Sequence, residues 1–364
     1  MIERKSLVKI LLLGEFSALH KNLKEGLIEL GHDAVVAAGG DGFKKIPTDI
    51  SFDFSSPFPG ALKKIHYRYQ LYSTVSQLKG FDVVQMANPF IFPSKYFPRE
   101  ALINSLIKNN NKVFLSGAGC DAYFWRYGRK QLKYGPFAET LKYDKNKTHS
   151  HLESEASFKF NEWLVNQVKG VIPIIYEYEV SYSSNPKRLS TIPIPMNLNK
   201  IEYKENALGK KLVIFHGLNR YGFKGTRHVE EAFEYLSKKY PNDLELVIEG
   251  NLPLNEYLEL MKRTNVIVDQ MHSHSLGVNG VYALAMGKVV LGGAEPESLT
   301  SLGVNSSPVI NVQPNAASLI EQIEKLLENK NNIAKLGYES RLFAEQVHSH
   351  TKVAEQYINT WTNA

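Results

Sequence analysis

The stretch from Thr264 to Gly293, TNVIVDQMHSHSLGVNGVYALAMGKVVLGG, does most to limit what this chain can fold into. Val266, Ile267 and Val268 form a short apolar run that ends in Asp269 and Gln270. A polar loop carrying Gly277 and Gly280 follows. Val281, Ala283, Leu284 and Ala285 then read as a helix of small residues, closed by Gly287. Val289, Val290 and Leu291 make the next strand, and Gly292-Gly293 stop it. Two short, continuously apolar strands around one helix predict a βαβ unit in a parallel sheet covered on both faces. A glycine-bearing loop at the N-terminus of that helix offers backbone N–H groups and the positive end of the helix dipole, which suits a phosphate. An ordinary crossover, with glycines serving only tight packing, fits the same residues.

A second loop upstream has related chemistry. Leu212 to Phe215 reads as a strand that empties into His216-Gly217-Leu218-Asn219-Arg220-Tyr221-Gly222-Phe223-Lys224-Gly225-Thr226. Val229, Ala232, Phe233 and Leu236 continue as a helix. A Lys in a glycine-rich loop just before a helix puts a cation beside N–H donors, and a diphosphate uses both. The glycine spacing is not that of a Walker A loop. Taken alone, the loop is better explained by a solvent-exposed Lys. Leu244 to Ile248 reads as a strand ending in Glu249-Gly250, and Glu256 to Arg263 as a helix.

With 364 residues the chain is too long for one small core, which predicts two domains. Pro193 and Pro195 break regular structure, so residues 1–195 are read as the first domain, 196–209 as a linker and 210–345 as the second domain. The first domain opens with a strand at Val8 to Leu13, a turn at Gly14-Glu15-Phe16-Ser17, and a helix faced by Leu19, Leu23, Leu27 and Leu30. Gly14 alone is not a dinucleotide fingerprint, because the second and third glycines are missing. Phe81 to Met86 is a strand that runs into Asn88-Pro89. Val113 to Leu115 is another, running into Ser116-Gly117-Ala118-Gly119-Cys120-Asp121. Ligands bind beyond the carboxyl ends of such strands, which makes Asp121 the first domain's acidic candidate. A helix N-cap is its alternative reading. Residues 122–150, rich in Tyr, Trp, Lys and Arg, read as an excursion from the sheet. Gly170 to Ile175 reads as a strand ending in Tyr176-Glu177-Tyr178.

Composition narrows the class. The net charge of +6 permits an anionic partner and selects none. One cysteine, Cys120, excludes an internal disulfide and fits a reducing cytoplasm. No apolar run approaches the roughly 20 residues of a membrane span. The short run after Glu3, Arg4 and Lys5 reads as a first strand rather than a signal peptide. Between Ala61 and Leu78, Lys63, Lys64, His66 and Arg68 alternate with tyrosines. Such a helix can rest on an anionic membrane surface or simply be solvated. No nucleic-acid-binding pattern accompanies it, so no nucleic-acid partner is expected. His348 and His350 lack nearby Cys or paired acids and read as a cap and surface histidines, not a metal site.

These features together resemble the GT-B glycosyltransferases of the large retaining family 4, "group 1". Tyr282-Ala283-Leu284-Ala285-Met286-Gly287, then Lys288-Val289-Val290, is similar to the family's Glu-Ala-Met-Ala-x-Gly followed by Lys-Pro-Val. Lys224-Gly225-Thr226 resembles the Lys-Gly-Thr whose Lys binds the donor phosphates, and Arg220 matches an assisting cation upstream. Gly119-Cys120-Asp121 resembles a Gly-x-Asp at the cleft. Two positions depart from the family: a helix-opening Glu that holds the donor ribose is Tyr282 here, and a Glu eight positions earlier is His274. Gln85 also stands where relatives often have His.

The resemblance implies a GT-B fold of two Rossmann-like α/β domains facing a cleft. Residues 346–364, with Val353, Tyr357 and Trp361, would form a helix crossing back to the first domain. The implied activity is transfer of a sugar from a nucleotide diphosphate-sugar to a hydroxyl of a glycan or lipid-linked acceptor, with retention of configuration. Asp121, Lys224 and Arg220 are then catalytic candidates. Donor-binding candidates are His216, Gly217, Asn219, Arg220, Lys224, Glu249, Gly250, His274, Gly277, Asn279, Gly280 and Tyr282. Asn279 and Glu297 are alternatives for holding the ribose. Gly14, Ser17, His20 and Asn88 are acceptor-side candidates, although for Ser17 and His20 a helix cap and a surface histidine fit as well. No cofactor and no metal are expected, and the location expected is the cytoplasm or the inner face of the membrane. The alternatives are another sugar-nucleotide enzyme on this scaffold, such as an epimerase or a phosphorylase, or a non-catalytic homologue that binds a partner; no pyridoxal lysine context supports a phosphorylase.

Overall fold

The computed structural model describes residues 7–39, 41, 46–92, 99–143, 149–218 and 220–364. The apolar runs become two parallel sheets. The first holds β1 (Lys9–Leu13), β2 (Asp33–Ala38), β3 (Ile50–Ser51), β4 (Val83–Met86), β5 (Lys112–Gly117) and β6 (Val171–Pro173), in the order β3-β2-β1-β4-β5-β6. The second holds β7 (Leu212–Gly217), β8 (Leu244–Glu249), β9 (Val266–Val268), β10 (Val289–Gly292) and β11 (Ile310–Asn311), in the order β11-β10-β9-β7-β8. Every pairing is parallel. Both orders are doubly wound, so each sheet has one point where the winding reverses: between β1 and β4, and between β7 and β9.

The central strands are buried on both faces, which is why they read as unbroken apolar runs. Ile10 to Leu13 and Val289 to Leu291 are fully buried. The Leu19–Glu29 helix packs against the terminal His350–Asn363 helix so closely that a Cβ added to Gly26 would lie 2.2 Å from the His350 carbonyl oxygen. Val353, Tyr357 and Trp361 line the buried face of the terminal helix. The Trp361 indole N–H donates to Gln85 Oε1 at 2.9 Å, while Gln85 Nε2 donates to Ser116 at 2.9 Å. This tie accounts for Gln85 inside β4: its amide reaches the returning helix. Met196 and His348 also exchange backbone contact where the chain crosses between the halves, with Met196 N–H donating to the His348 carbonyl at 2.7 Å. The C-terminal helix therefore crosses back to the first half, as expected.

Several local expectations change. His348 and His350 are buried, not surface histidines. His348 Nδ1 lies 2.9 Å from the Ile194 carbonyl, and His350 Nε2 lies 2.9 Å from Glu29. The Val278–Ala285 helix begins a turn earlier than the apolar pattern suggested, so Gly280 lies inside it. The 216–226 loop contains a one-turn helix, Tyr221–Lys224, and Tyr176–Ser181 is a helix rather than a strand end.

Candidate functional site

Loops leaving the reversal points of both sheets border one cavity of about 350 Å³. From the first half, Phe16, Ser17, Asp41, Gly119, Glu177 and Tyr178 line it. From the second half, Arg220, Phe223, Lys224, Asp269, Gly277 and Asn279 line it. This placement follows from topology, because diverging crossovers leave a crevice at the carboxyl edge of each sheet.

The second-half wall is built around Lys224. It ends the short Tyr221–Lys224 helix, and Gly225, with φ of 73°, turns the chain into the Thr226–Lys239 helix. Lys224 is 6 % exposed, and its Nζ stands 3.7 Å from Asp269 Oδ1. Asp269 Oδ2 accepts the Gly277 N–H at 2.9 Å. A Cβ on Gly280 would lie 2.7 Å from that oxygen, so glycine makes room for the carboxylate. The Gly277 N–H is thus taken from within, which corrects the expectation that it faces an incoming phosphate. The N–H groups of Val278, Asn279 and Gly280 precede the first helical bond, Val281 N–H to the Gly277 carbonyl. Arg220 lays its guanidinium 3.9 Å from the Phe223 ring centroid. A Cβ on Gly217 would lie 3.9 Å from Asn279 Nδ2 and 4.0 Å from Lys224 Nζ, so Gly217 borders the same cluster.

Other donor-side candidates do not line the cavity. His216 is fully buried and both ring nitrogens are engaged: Nδ1 lies 2.9 Å from the Val268 carbonyl and Nε2 3.0 Å from Thr226 Oγ1. Burial, then the nearby Lys224 charge, lowers its pKa to about 3, so it is a neutral framework residue joining β7, β9 and the following helix. Glu249 is exposed at the end of β8, and a Cβ on Gly250 would collide with the Leu218 carbonyl. Tyr282 packs with Tyr257, their ring centroids 6.4 Å apart. His274 stacks on Tyr134 at 4.2 Å, bridging the two halves. Glu297 is exposed on the Pro296–Ser301 helix. Asn219 lies outside the described residues.

In the first half, Ser17 reaches the cavity and its neighbours hold it there. Gly14 has φ of 88°, and Ser17 and Ala18 follow with φ of 54° and 65°. A Cβ on Gly14 would lie 2.7 Å from Ile91 Cγ2, so two constraints require glycine. Ser17 N–H donates to Asp41 Oδ2 at 2.8 Å. His20 is a buried brace and not a surface residue: its Nδ1 lies 2.7 Å from the Gly14 carbonyl, and burial lowers its pKa to about 4. Asn88 Nδ2 donates to the Ala118 carbonyl at 2.7 Å and ties two loops together. Asp121 is fully buried. It accepts the Phe124 N–H at 2.8 Å and the Tyr182 hydroxyl at 2.7 Å, so the capping reading holds and the cavity-facing one does not. Burial raises its pKa to about 6.

Glu177 carries what the sequence did not single out. It is 4 % exposed, and Oε1 accepts N–H groups from His274 at 2.8 Å and Ser275 at 3.1 Å, with the Ser273 hydroxyl as a third donor. Oε2 is buried without a hydrogen-bond partner among the described residues. A carboxylate from the first half thus grips a loop of the second beside the cavity. The only sequence signal was an acid just past a buried strand.

No family model matches this chain, and no curated protein matches it. Solved structures do. HepE of Anabaena, in complex with UDP and glucose, is 13% identical over 98% of this chain and 100% of that chain, with a TM-score of 0.63. Sucrose-phosphate synthase of Thermosynechococcus elongatus is 13% identical over 98% of each chain, with a TM-score of 0.61. UDP-GlcNAc 2-epimerase of Neisseria meningitidis, bound to UDP-GlcNAc, is 13% identical over 98% of this chain and 99% of that chain, with a TM-score of 0.55. At this identity the likeness shows the fold, which is the GT-B arrangement of two Rossmann-like halves.

Proposed function

We propose that this protein transfers a sugar from a nucleoside diphosphate-sugar to a hydroxyl acceptor, with retention of configuration. The observation that carries the reading is the second-half wall. A buried lysine, an arginine and the first N–H groups of the Val278–Ala285 helix converge where the sheet winding reverses. That combination suits a diphosphate. Support also comes from the fold, shared with proteins solved with UDP or a UDP-sugar.

In this reading the C1–oxygen bond to the diphosphate breaks and the diphosphate keeps the electron pair. The acceptor oxygen bonds to C1 on the same face, and its proton passes to the leaving diphosphate. Lys224 and Arg220 stabilise the charge that develops there. Glu177 Oε2 accepts a hydroxyl of the bound sugar, and Ser17 borders the acceptor.

A lipid-linked acceptor at an anionic membrane surface is part of the proposal. The Gly60–Gln77 helix exposes Leu62 (56%), Ile65 (59%), Tyr69 (68%) and Tyr72 (53%), with Lys63, Lys64 and Arg68 also exposed. Apolar residues at helical spacing beside cations suit the interface of an anionic bilayer.

A panel of nucleoside diphosphate-sugars tests the activity, with release of the nucleoside diphosphate as readout and thermal shift as the binding check. Turnover with one donor class supports transfer. Binding without turnover in the presence of membrane acceptors would leave a non-catalytic homologue, and conversion of the sugar while still on the nucleotide would reassign the protein to an epimerase-type reaction.

A further inference from the structure

A second cluster of chemistry stands where the halves meet, behind the one-turn helix that carries Lys224. Glu139 lies on the Phe137–Tyr143 helix of the first half, His228 on the Thr226–Lys239 helix, and His272 in the loop after β9. The three bring one ligand atom each to within 4.8 Å of one another. His272 Nε2 is 3.9 Å from Glu139 Oε2, and His228 Nε2 is 4.0 Å from Glu139 Oε1.

The remaining atoms are arranged as metal ligands require. His272 Nδ1 lies 3.3 Å from the Gly222 carbonyl; donating there fixes the tautomer and turns the Nε2 lone pair toward Glu139. Arg227 donates through Nε to Glu139 Oε1 at 3.1 Å, which orients the carboxylate. Glu139 Oε2 is buried and has no hydrogen-bond partner among the described residues. An ordinary Arg–Glu pair accounts for Oε1 and leaves Oε2 unexplained.

We infer that Glu139, His228 and His272 form a site for a zinc-class divalent ion that pins the first half to the second. Two imidazoles and a carboxylate form a ligand set that suits zinc or cobalt rather than magnesium or calcium. Bonds of about 2.0–2.1 Å place tetrahedral ligands roughly 3.3 Å apart, so separations of 3.9 Å to at most 4.8 Å need to close by about 0.6–1.5 Å. Arg227 is 48% exposed at its side chain and is free to turn its charge toward water as the ion enters. Water completes the coordination. The backbones here are already in contact, since a Cβ on Gly222 would lie 2.3 Å from the Glu139 carbonyl oxygen. The ion therefore locks a closed arrangement beside Lys224. His272 also lines the cavity assigned to the donor, so the site adjoins that wall, but metal binding here is tested without reference to sugar transfer.

Full-length protein stripped with a chelator is titrated with cobalt(II). One ion per chain is expected, with the visible absorption of a four-coordinate site, displaced by zinc and unaffected by magnesium. Zinc in excess should raise the melting temperature. Glu139→Gln, which keeps side-chain size, and His228→Ala should each weaken binding at least tenfold. Circular dichroism establishes that each variant is folded. If a variant fails to fold, the other decides. No cobalt absorption in the wild type, or an absorption that persists at unchanged affinity in a folded variant, would overturn the site.

Discussion

Replacing Asp269 by Asn probes the diphosphate wall through its least expected member. Asp269 is 1 % exposed, and its carboxylate lies 3.7 Å from Lys224 Nζ, the cation assigned to the diphosphate. A phosphate oxygen bonded to Nζ at about 2.8 Å would sit within roughly 6.5 Å of that carboxylate. Two unit negative charges at about 6.5 Å repel by about 2.5 kcal/mol at an effective dielectric of about 20. Water in the cavity reduces this, so Asp269→Asn should tighten a nucleoside diphosphate by about 1–2.5 kcal/mol, or roughly 5- to 70-fold. Asn still offers an oxygen to the Gly277 N–H, so the helix start is kept. Calorimetric titration with UDP and with uridine at low ionic strength separates the charge term from base binding. UDP should gain and uridine should not. Weaker UDP binding in a folded variant, or equal gains for both ligands, would refute the placement of the diphosphate on Lys224.

Two further outcomes concern the frame. Trp361→Ala removes a side chain that is 2 % exposed and leaves Gln85 Oε1 without its indole donor, so it should destabilise the protein by about 3–5 kcal/mol in urea unfolding; an unchanged midpoint would show that the terminal helix adds nothing to the first half. His348 is neutral in the fold, with burial lowering its pKa from 6.5 to about 4. Its contribution is complete above pH 6.5 and is lost as pH falls toward 4, because the unfolded chain takes the proton first. The stability gap between wild type and His348→Asn should therefore shrink over that window by on the order of 3 kcal/mol, and a gap constant with pH would contradict the assignment.

The parallel sheets and the glycine loops were legible because buried strands and tight turns leave local marks: unbroken Val/Ile/Leu runs and punctuating Gly. Lys224, Arg220, Gly277, Asn279 and Ser17 do line the cavity. What the sequence could not convey is which polar side chains turn inward to satisfy the frame. His216, His20 and Asp121 look like cleft residues by position, yet His216 and Asp121 spend their polar atoms on backbone or neighbouring side chains, and His20 holds the Gly14 carbonyl through Nδ1. Glu177 and the Glu139, His228 and His272 cluster depend on contacts between halves over long sequence separations, which no local pattern encodes.

Lys224→Ala is the most direct measurement of the central claim. Removing the buried ammonium should weaken UDP by about 1.5–3 kcal/mol, the worth of a charged hydrogen bond, and leave uridine nearly unchanged. Equal weakening of both ligands, or UDP binding at wild-type strength, would contradict a diphosphate site at this wall.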